Sequence, residues 1–264
     1  MTSDEAKDFV AHRNKLGREF VEAGKRQGAW AGIERLVTEE LYPDQTHFLF
    51  ELLQNAEDAR ATMLNFELSD DRLSSWHDGS RLFSREDVEG ITSIGQSQKR
   101  EDVNKIGKFG VGFKSVFAYT ASPRISSGVF HFEITDLICP EWVDLQKRLN
   151  PDFTYVHFPF NRPSKTPQTC FKEIATGLDR LPHSTLLFLR NIEQVTWKVA
   201  GSEDGFIKKD LLESGIIRIR QRDSSGISKT THWLKFEAPL KETPELVCSV
   251  AFMLRPPPKK DADA

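Results

Sequence analysis

The chain has 264 residues, 38% of them hydrophobic and 28% charged, with a net charge of −3. That is enough apolar material for one large core, and no apolar run approaches the roughly 18 residues a membrane span needs. The charge balance excludes a broadly basic surface that coats nucleic acid. Cys139, Cys170 and Cys248 are odd in number and far apart, which excludes a disulfide framework and fits a reducing cytoplasm.

Residues 4 to about 40 carry helical periodicity in Phe9, Val10, Leu16, Phe20 and Val21, then Trp30, Ile33, Leu36, Val37 and Leu41. "YPDQ" interrupts it, and Asp44 suits the N-cap of a next helix, "FLFELLQNAEDAR", residues 48–60. "TMLNFELSD" and "RLSSW" read as neighbouring strands across an acidic turn. After the loop "HDGSRLF", Ser84 and Asp87 have the spacing of a capping box and start a short helix. The stretch from Thr92 to Gly112 is polar, rich in Gly and Lys, and without a period, as functional lids or disordered segments are. "FKSVFAYT" then turns helical. "RISSGVFHFEI" and "FTYVHFPF" read as strands, "CFKEIATGLDRL" as a helix, "STLLFLRNI" and "QVTWKVA" as strands again. Beyond Gly201 a long hairpin turns at "DSSG", and "ELVCSVAFML" adds a strand. No internal repeat is visible, and the "RPPPKKDADA" ending reads as a linker inside a longer protein.

Two stretches carry chemistry. At about 100° per residue, Glu51, Asn55 and Asp58 share one narrow helical stripe, while Phe48, Leu49, Leu52, Leu53, Ala56 and Ala59 form the apolar flank. A solvated face usually mixes Lys or Arg among its acids, and this one has none. In "IGKFGVGFKSVF", Gly107, Gly110 and Gly112 precede a helical pattern that starts near Phe113. Glycines allow close backbone approach to an anion, and a helix start offers free N–H groups, so this is a phosphate cradle in physical terms. It is neither a Walker loop nor a dinucleotide fingerprint.

Together, "ELLQNAEDA" and "IGKFGVGFKS" about fifty residues later resemble the GHKL (Bergerat-fold) ATPases, the superfamily of DNA gyrase, the ninety-kilodalton heat-shock chaperone, histidine kinases and MutL. "FLFELLQNAEDA", "HDGSRLF", "SIGQSQK" and "IGKFGVGFKSVF" look most like its sacsin-type, chaperone-like branch, over roughly residues 40 to 200. The resemblance implies an α+β fold: a two-layer α/β sandwich of a mixed, mostly antiparallel sheet with helices on one face. It implies an ATP-binding domain over residues 1–200, N-terminal helices included, with a lid at about 84–108; the change of character after Gly201 marks an additional β-hairpin region over 201–264, read as the start of a following domain. The resemblance also implies the cofactors ATP and Mg²⁺. Glu51 matches the general base, Asn55 the Mg²⁺ ligand, and Asp58 the residue holding the nucleotide through the ion's water shell. Gly107, Phe109, Gly110, Val111, Gly112 and Phe113 match the phosphate-binding loop. Lys99 falls where relatives keep a lid lysine or serine, and Thr154 resembles the threonine that closes the adenine pocket. Lys114 reads as a helix-surface lysine, with a ligand role as its alternative.

The sequence departs from the family at the adenine-reading box, D-x-G-x-G, where "HDGSRLF" has no second glycine. In one register Asp78 reads the adenine amino group with Gly79 beside it; in the other, Gly79 fills the first-glycine place and His77 is the reader. Glu51 stands where histidine kinases of the superfamily usually lack a glutamate, which favours hydrolysis over kinase activity. Two functional classes follow. One is a cytoplasmic ATPase whose lid closure drives conformational change or homodimerisation in a longer chain. The other is a nucleotide-gated scaffold with little turnover. A nucleic-acid-processing ATPase is a weaker third.

Overall fold

The structure, a computed structural model, describes residues 1–40, 45–94, 112–145, 149–213, 215–240, 243 and 247–255. Its centre is one mixed sheet of eleven strands. In chain order these are β1 (Met63–Ser69), β2 (Arg72–His77), β3 (Arg124–Ser127), β4 (Phe130–Thr135), β5 (Cys139–Trp142), β6 (Thr154–Pro159), β7 (Gln194–Val199), β8 (Gly205–Leu211), β9 (Ile217–Arg222), β10 (Ser228–Pro239) and β11 (Val247–Leu254). Across the sheet they run β11-β10-β9-β8-β7-β1-β2-β6-β3-β4-β5. Every pair is antiparallel except β1 with β7, which is parallel. The pairing of β7 with β8 carries the sheet past Gly201 without a break.

Period-two alternation decides which face is covered. Leu64, Phe66 and Leu68 of β1 are buried, and register places them beside Leu73, Ser75 and His77 of β2 and Val195, Trp197 and Val199 of β7. Val156 and Phe158, Ile125, and Phe130, Phe132 and Ile134 continue this apolar face through β6, β3 and β4.

The helices α1 (Ser3–Arg26), α3 (Phe48–Asp58) and α5 (Pro167–Asp179) lie on that face. Phe9 of α1 meets Phe130 edge-on at 6.3 Å, Phe48 of α3 meets Phe158 at 6.0 Å, and Trp197 Nε1 donates to Asp179 at the end of α5. α1 starts with a reciprocal capping box between Thr2 and Glu5. A short α2 (Trp30–Arg35) follows it and runs into a single π-helical turn at Leu36–Glu40. The capping box expected at Ser84 and Asp87 is present, and it opens α4 (Arg85–Ile91).

Local detail corrects the sequence reading at several places. "STLLFLRNI" is not a strand: His183–Leu187 forms a 3₁₀ turn after Pro182. Leu186 and Leu187 are both buried, which a half-covered strand cannot do with successive residues. The amides that follow are claimed by Glu57 of α3, whose carboxylate accepts from the N–H of Arg190 (2.8 Å), Asn191 (3.0 Å) and Ile192 (3.0 Å). "FKSVFAYT" starts as a 3₁₀ turn, Gly112–Ala118, rather than an α-helix. "RISSGVFHFEI" is two strands folded at Gly128, where φ is +58°. The charged β8 and the proline-containing β5 carried too weak an alternation to be read. Asp44 lies outside the described residues, and His47 occupies the N-cap of α3 with no side-chain capping bond.

Candidate functional site

α3 behaves as its sequence demands. Phe48, Leu49, Leu52, Leu53 and Ala56 are buried, while Glu51, Asn55 and Asp58 stay half-buried on the other stripe. The helix stops at Arg60, which takes φ 60°, so that Ala61 N–H reaches back to the Ala56 carbonyl (2.9 Å) and Arg60 N–H to that of Glu57 (2.9 Å). That is a Schellman ending with arginine in the place glycine usually fills.

The structure brings the two quoted motifs together at Glu51 and Gly112. A Cβ built on Gly112 would overlap the Glu51 carboxylate, with Oε2 as its nearest atom. Only glycine allows the backbone to lie this close to the carboxylate. The other oxygen, Oε1, is 3.2 Å from His47 Nε2, one helical turn earlier. His47 was not singled out in the sequence, although its i, i+4 spacing from Glu51 was visible there.

The "HDG" box sits against the end of the same helix. A Cβ on Gly79 would come within 2.8 Å of the Ala59 carbonyl and of His77 Nδ1. Asp78 Oδ1 accepts from the N–H of Thr62 (2.8 Å) and Met63 (2.9 Å), and Oδ2 accepts from the Thr62 hydroxyl. Burial works to raise the Asp78 pKa, but these bonds from Thr62 and Met63 outweigh it and leave it lowered. A carboxylate offers about four acceptor positions, and the bonds from Thr62 and Met63 take three of them. His77 is buried, which pushes its pKa down to about 4, against an upward pull from Asp78. It is therefore neutral at pH 7, and its Nδ1 accepts the Gly79 N–H at 3.1 Å.

Thr154 pairs with His77 across β2 and β6 and is 1% exposed; its hydroxyl lies 2.6 Å from that of Ser127. Ser127 in turn accepts the N–H of Phe83 at 3.0 Å, so the loop after "HDG" is tied to this row. Phe113 is buried against Phe158, ring centroids 6.4 Å apart. Lys99, Gly107, Phe109, Gly110 and Val111 lie outside the described residues.

One expectation is overturned. Lys114 is not a surface lysine: it is 0% exposed, and its Nζ donates to the carbonyls of Ile91 and Leu137, each at 2.5 Å. The 3₁₀ turn that carries it is buried from Phe113 to Ala118, so it has no wet face to offer.

Among the described residues, no group of three His, Cys, Asp or Glu could hold a metal ion, and no helix is long and apolar enough to cross a membrane. A cavity of about 80 Å³ is lined by Ser126, Ser127, Gly128, His131, Phe153 and Tyr155; it adjoins the Thr154 row through Ser127 and includes neither Glu51 nor Gly112.

Fold and site thus define a mixed α/β region in which a polar helical stripe meets a glycine turn. Residues 74–147, from β2 to just past β5, match the family described as Sacsin domain. The chain is 35% identical over 129 residues to sacsin of Homo sapiens, covering 42% of this chain and 3% of that protein. It is also 35% identical over 131 residues to the protein NO VEIN of Arabidopsis thaliana, covering 48% of this chain and 5% of that one. The chain therefore spans a small fraction of the length of the curated relatives it matches. The matched segment includes Asp78, Gly79, Gly112 and Lys114.

Proposed function

We propose that this region is a GHKL-type (Bergerat) domain that binds ATP with Mg²⁺ and hydrolyses it slowly, with Glu51 as the general base. The observation that carries the reading is the contact between the Glu51 carboxylate and the Gly112 backbone. It joins a base to a backbone that can approach a phosphate closely, which phosphoryl transfer to water requires.

The donor set fits the cofactors. With no cluster of acids in the described residues, a divalent ion would be held by the Asn55 amide oxygen, with water and phosphate oxygens completing the shell, as Mg²⁺ prefers. Asp58 would support that water shell. When bound, the ion supplies neutralisation of the phosphate charge. Glu51 takes the proton of the attacking water, with Oε1 steadied by His47 Nε2. The backbone of Gly112 and Phe113 would meet the phosphates, and Gly107, Phe109, Gly110, Val111 and Lys99 are proposed as further members of that binding loop. Asp78 would accept the adenine amino group alongside its bonds from Thr62 and Met63, with Gly79 and Thr154 completing the adenine site. His77 is a poor reader: its acceptor nitrogen is already used by Gly79, and the other nitrogen is a donor. Lid closure coupled to conformational change or homodimerisation within a longer chain is the use this chemistry would serve.

Titration calorimetry of ATP, ADP and GTP with Mg²⁺, alongside Asn55→Ala, tests the binding. ATP binding in the micromolar-to-millimolar range, lost in the variant and absent for GTP, is expected. Phosphate release should fall at least 100-fold in Glu51→Ala while ATP still binds; unchanged turnover sinks the general-base role. A nucleotide-gated scaffold with little turnover is the second reading. It is favoured by the Asp78 carboxylate, most of whose acceptor capacity is spent on Thr62 and Met63.

A further inference from the structure

Lys114 is a fully buried titratable group that the proposed chemistry leaves unused. Its ammonium is enclosed, and among the described residues no carboxylate lies within ion-pair distance of it. A buried cation without a counter-ion is costly, and here two main-chain carbonyls serve it instead. One belongs to Ile91, the last residue of α4; the other belongs to Leu137, in the turn between β4 and β5. That turn is itself strained, with Asp136 at φ 44° and Leu137 at φ 65°, both in the left-handed region that side chains disfavour.

A second cation serves the same helix end. Arg13 of α1 donates from Nη2 to the Thr92 carbonyl (3.4 Å) and to the Ser93 hydroxyl (3.2 Å). The C-terminus of α4 is thus held by both Lys114 and Arg13, which suits the negative end of a helix. Two residues before Lys114 comes Gly112, whose backbone lies on Glu51. One short turn therefore touches the base, the end of α4 and the strained β4–β5 turn.

We infer that Lys114 is a positioning residue, which fixes the Gly112 turn against Glu51 by tying it to the end of α4 and to the β4–β5 turn. For turnover this rests on the nucleotide reading; for the mechanical coupling it does not. The groups that face Lys114 are the Cys139 thiol of β5 and the Arg13 guanidinium of α1, whose positive charge lowers its pKa. Asp136 in the turn is paired with Lys25 of α1, and α3 contributes Glu51 against Gly112. Burial, the largest influence, brings Lys114 down to about 7 from a usual 10.5, while the Cys139 thiol is pushed up to about 11 and stays neutral. An opened turn would return Lys114 to water and to its usual value. Opening therefore takes up a proton between about pH 7 and 10.5: it is easiest below pH 7 and falls up to tenfold per unit above it.

The experiment has two arms. In the first, hydrogen exchange of the wild-type protein without nucleotide is followed from pH 6 to 9 and corrected for the intrinsic rate. The amides of residues 112–118 and 85–94 should become better protected together above pH 7, by about tenfold per unit, while those of α5 do not change. Protection that stays flat, or that changes in only one of the two segments, overturns the coupling, and this arm stands even if no variant folds or no nucleotide binds. In the second arm, Lys114→Met should lower the ATP turnover number at least tenfold while leaving the ATP dissociation constant within threefold, with Lys114→Gln in between. A Lys114→Met protein that turns over like wild type overturns the positioning role. If the wild-type protein binds no ATP, the nucleotide reading fails and the first arm alone decides the inference.

Discussion

The two halves of the sheet are both built from strands rich in apolar residues and reach opposite outcomes. From β4 to β7 one face is sealed by α1, α3 and α5, and Phe66, Phe132, Phe158 and Trp197 are all within a few per cent of full burial. In β10 and β11, Phe236 and Phe252 meet each other edge-on at 6.2 Å, yet both remain more than half exposed, and Val250 and Met253 are exposed beside them. Alternation makes a strand; only a helix within reach makes its apolar side a core. The chemistry follows the cover. His77 and Lys114, whose pKa values are moved furthest downward by burial, both lie in the sealed half.

Three substitutions sharpen this contrast, in order of expected size. Phe66→Ala, in the centre of the sealed half, should cost about 3–5 kcal/mol in urea unfolding. A loss under 1 kcal/mol would mean the sealed half is not the source of stability. Glu57→Gln should cost about 2 kcal/mol, because an amide nitrogen would then face the N–H groups of Arg190, Asn191 and Ile192. It should also raise hydrogen exchange at residues 190–192. Phe236→Ala should lie within about 0.5 kcal/mol of wild type. A larger loss would show that the open half carries packing of its own.

How much of this was legible in the sequence depends on how local the cause is. The α3 stripe, the Ser84–Asp87 capping box and the hairpin turning at residues 223–226 are set by residues within a few positions of one another, and they fold as read. The turn at residues 183–192 was misread because its cause is Glu57, more than a hundred positions away: an apolar "LLFL" carries no sign that a distant carboxylate takes the amides after it. Lys114 was misread for a related reason. A 3.6-residue period assumes a wet face, and a 3₁₀ turn packed against α3 and the π-helical turn at Leu36–Glu40, with its lysine bonded to Ile91 and Leu137, has none. The closeness of Glu51 to Gly112 followed from the resemblance rather than from spacing, and the anchoring of Asp78 by Thr62 was hidden until β1 was placed.

The single parallel pair has a consequence for how the chain assembles. Pairing Met63 of β1 with Gln194 of β7 closes a loop of roughly 130 residues, an entropic cost on the order of 4 kcal/mol that antiparallel neighbours such as β1 and β2 do not meet. Everything from α4 to α5 lies inside that loop. Zipping β7 onto β1 is thus the long-range step of folding, slow by the rule that distant contacts form late. The Glu57 clasp on residues 190–192, just ahead of β7, is placed to deliver the arriving strand in register.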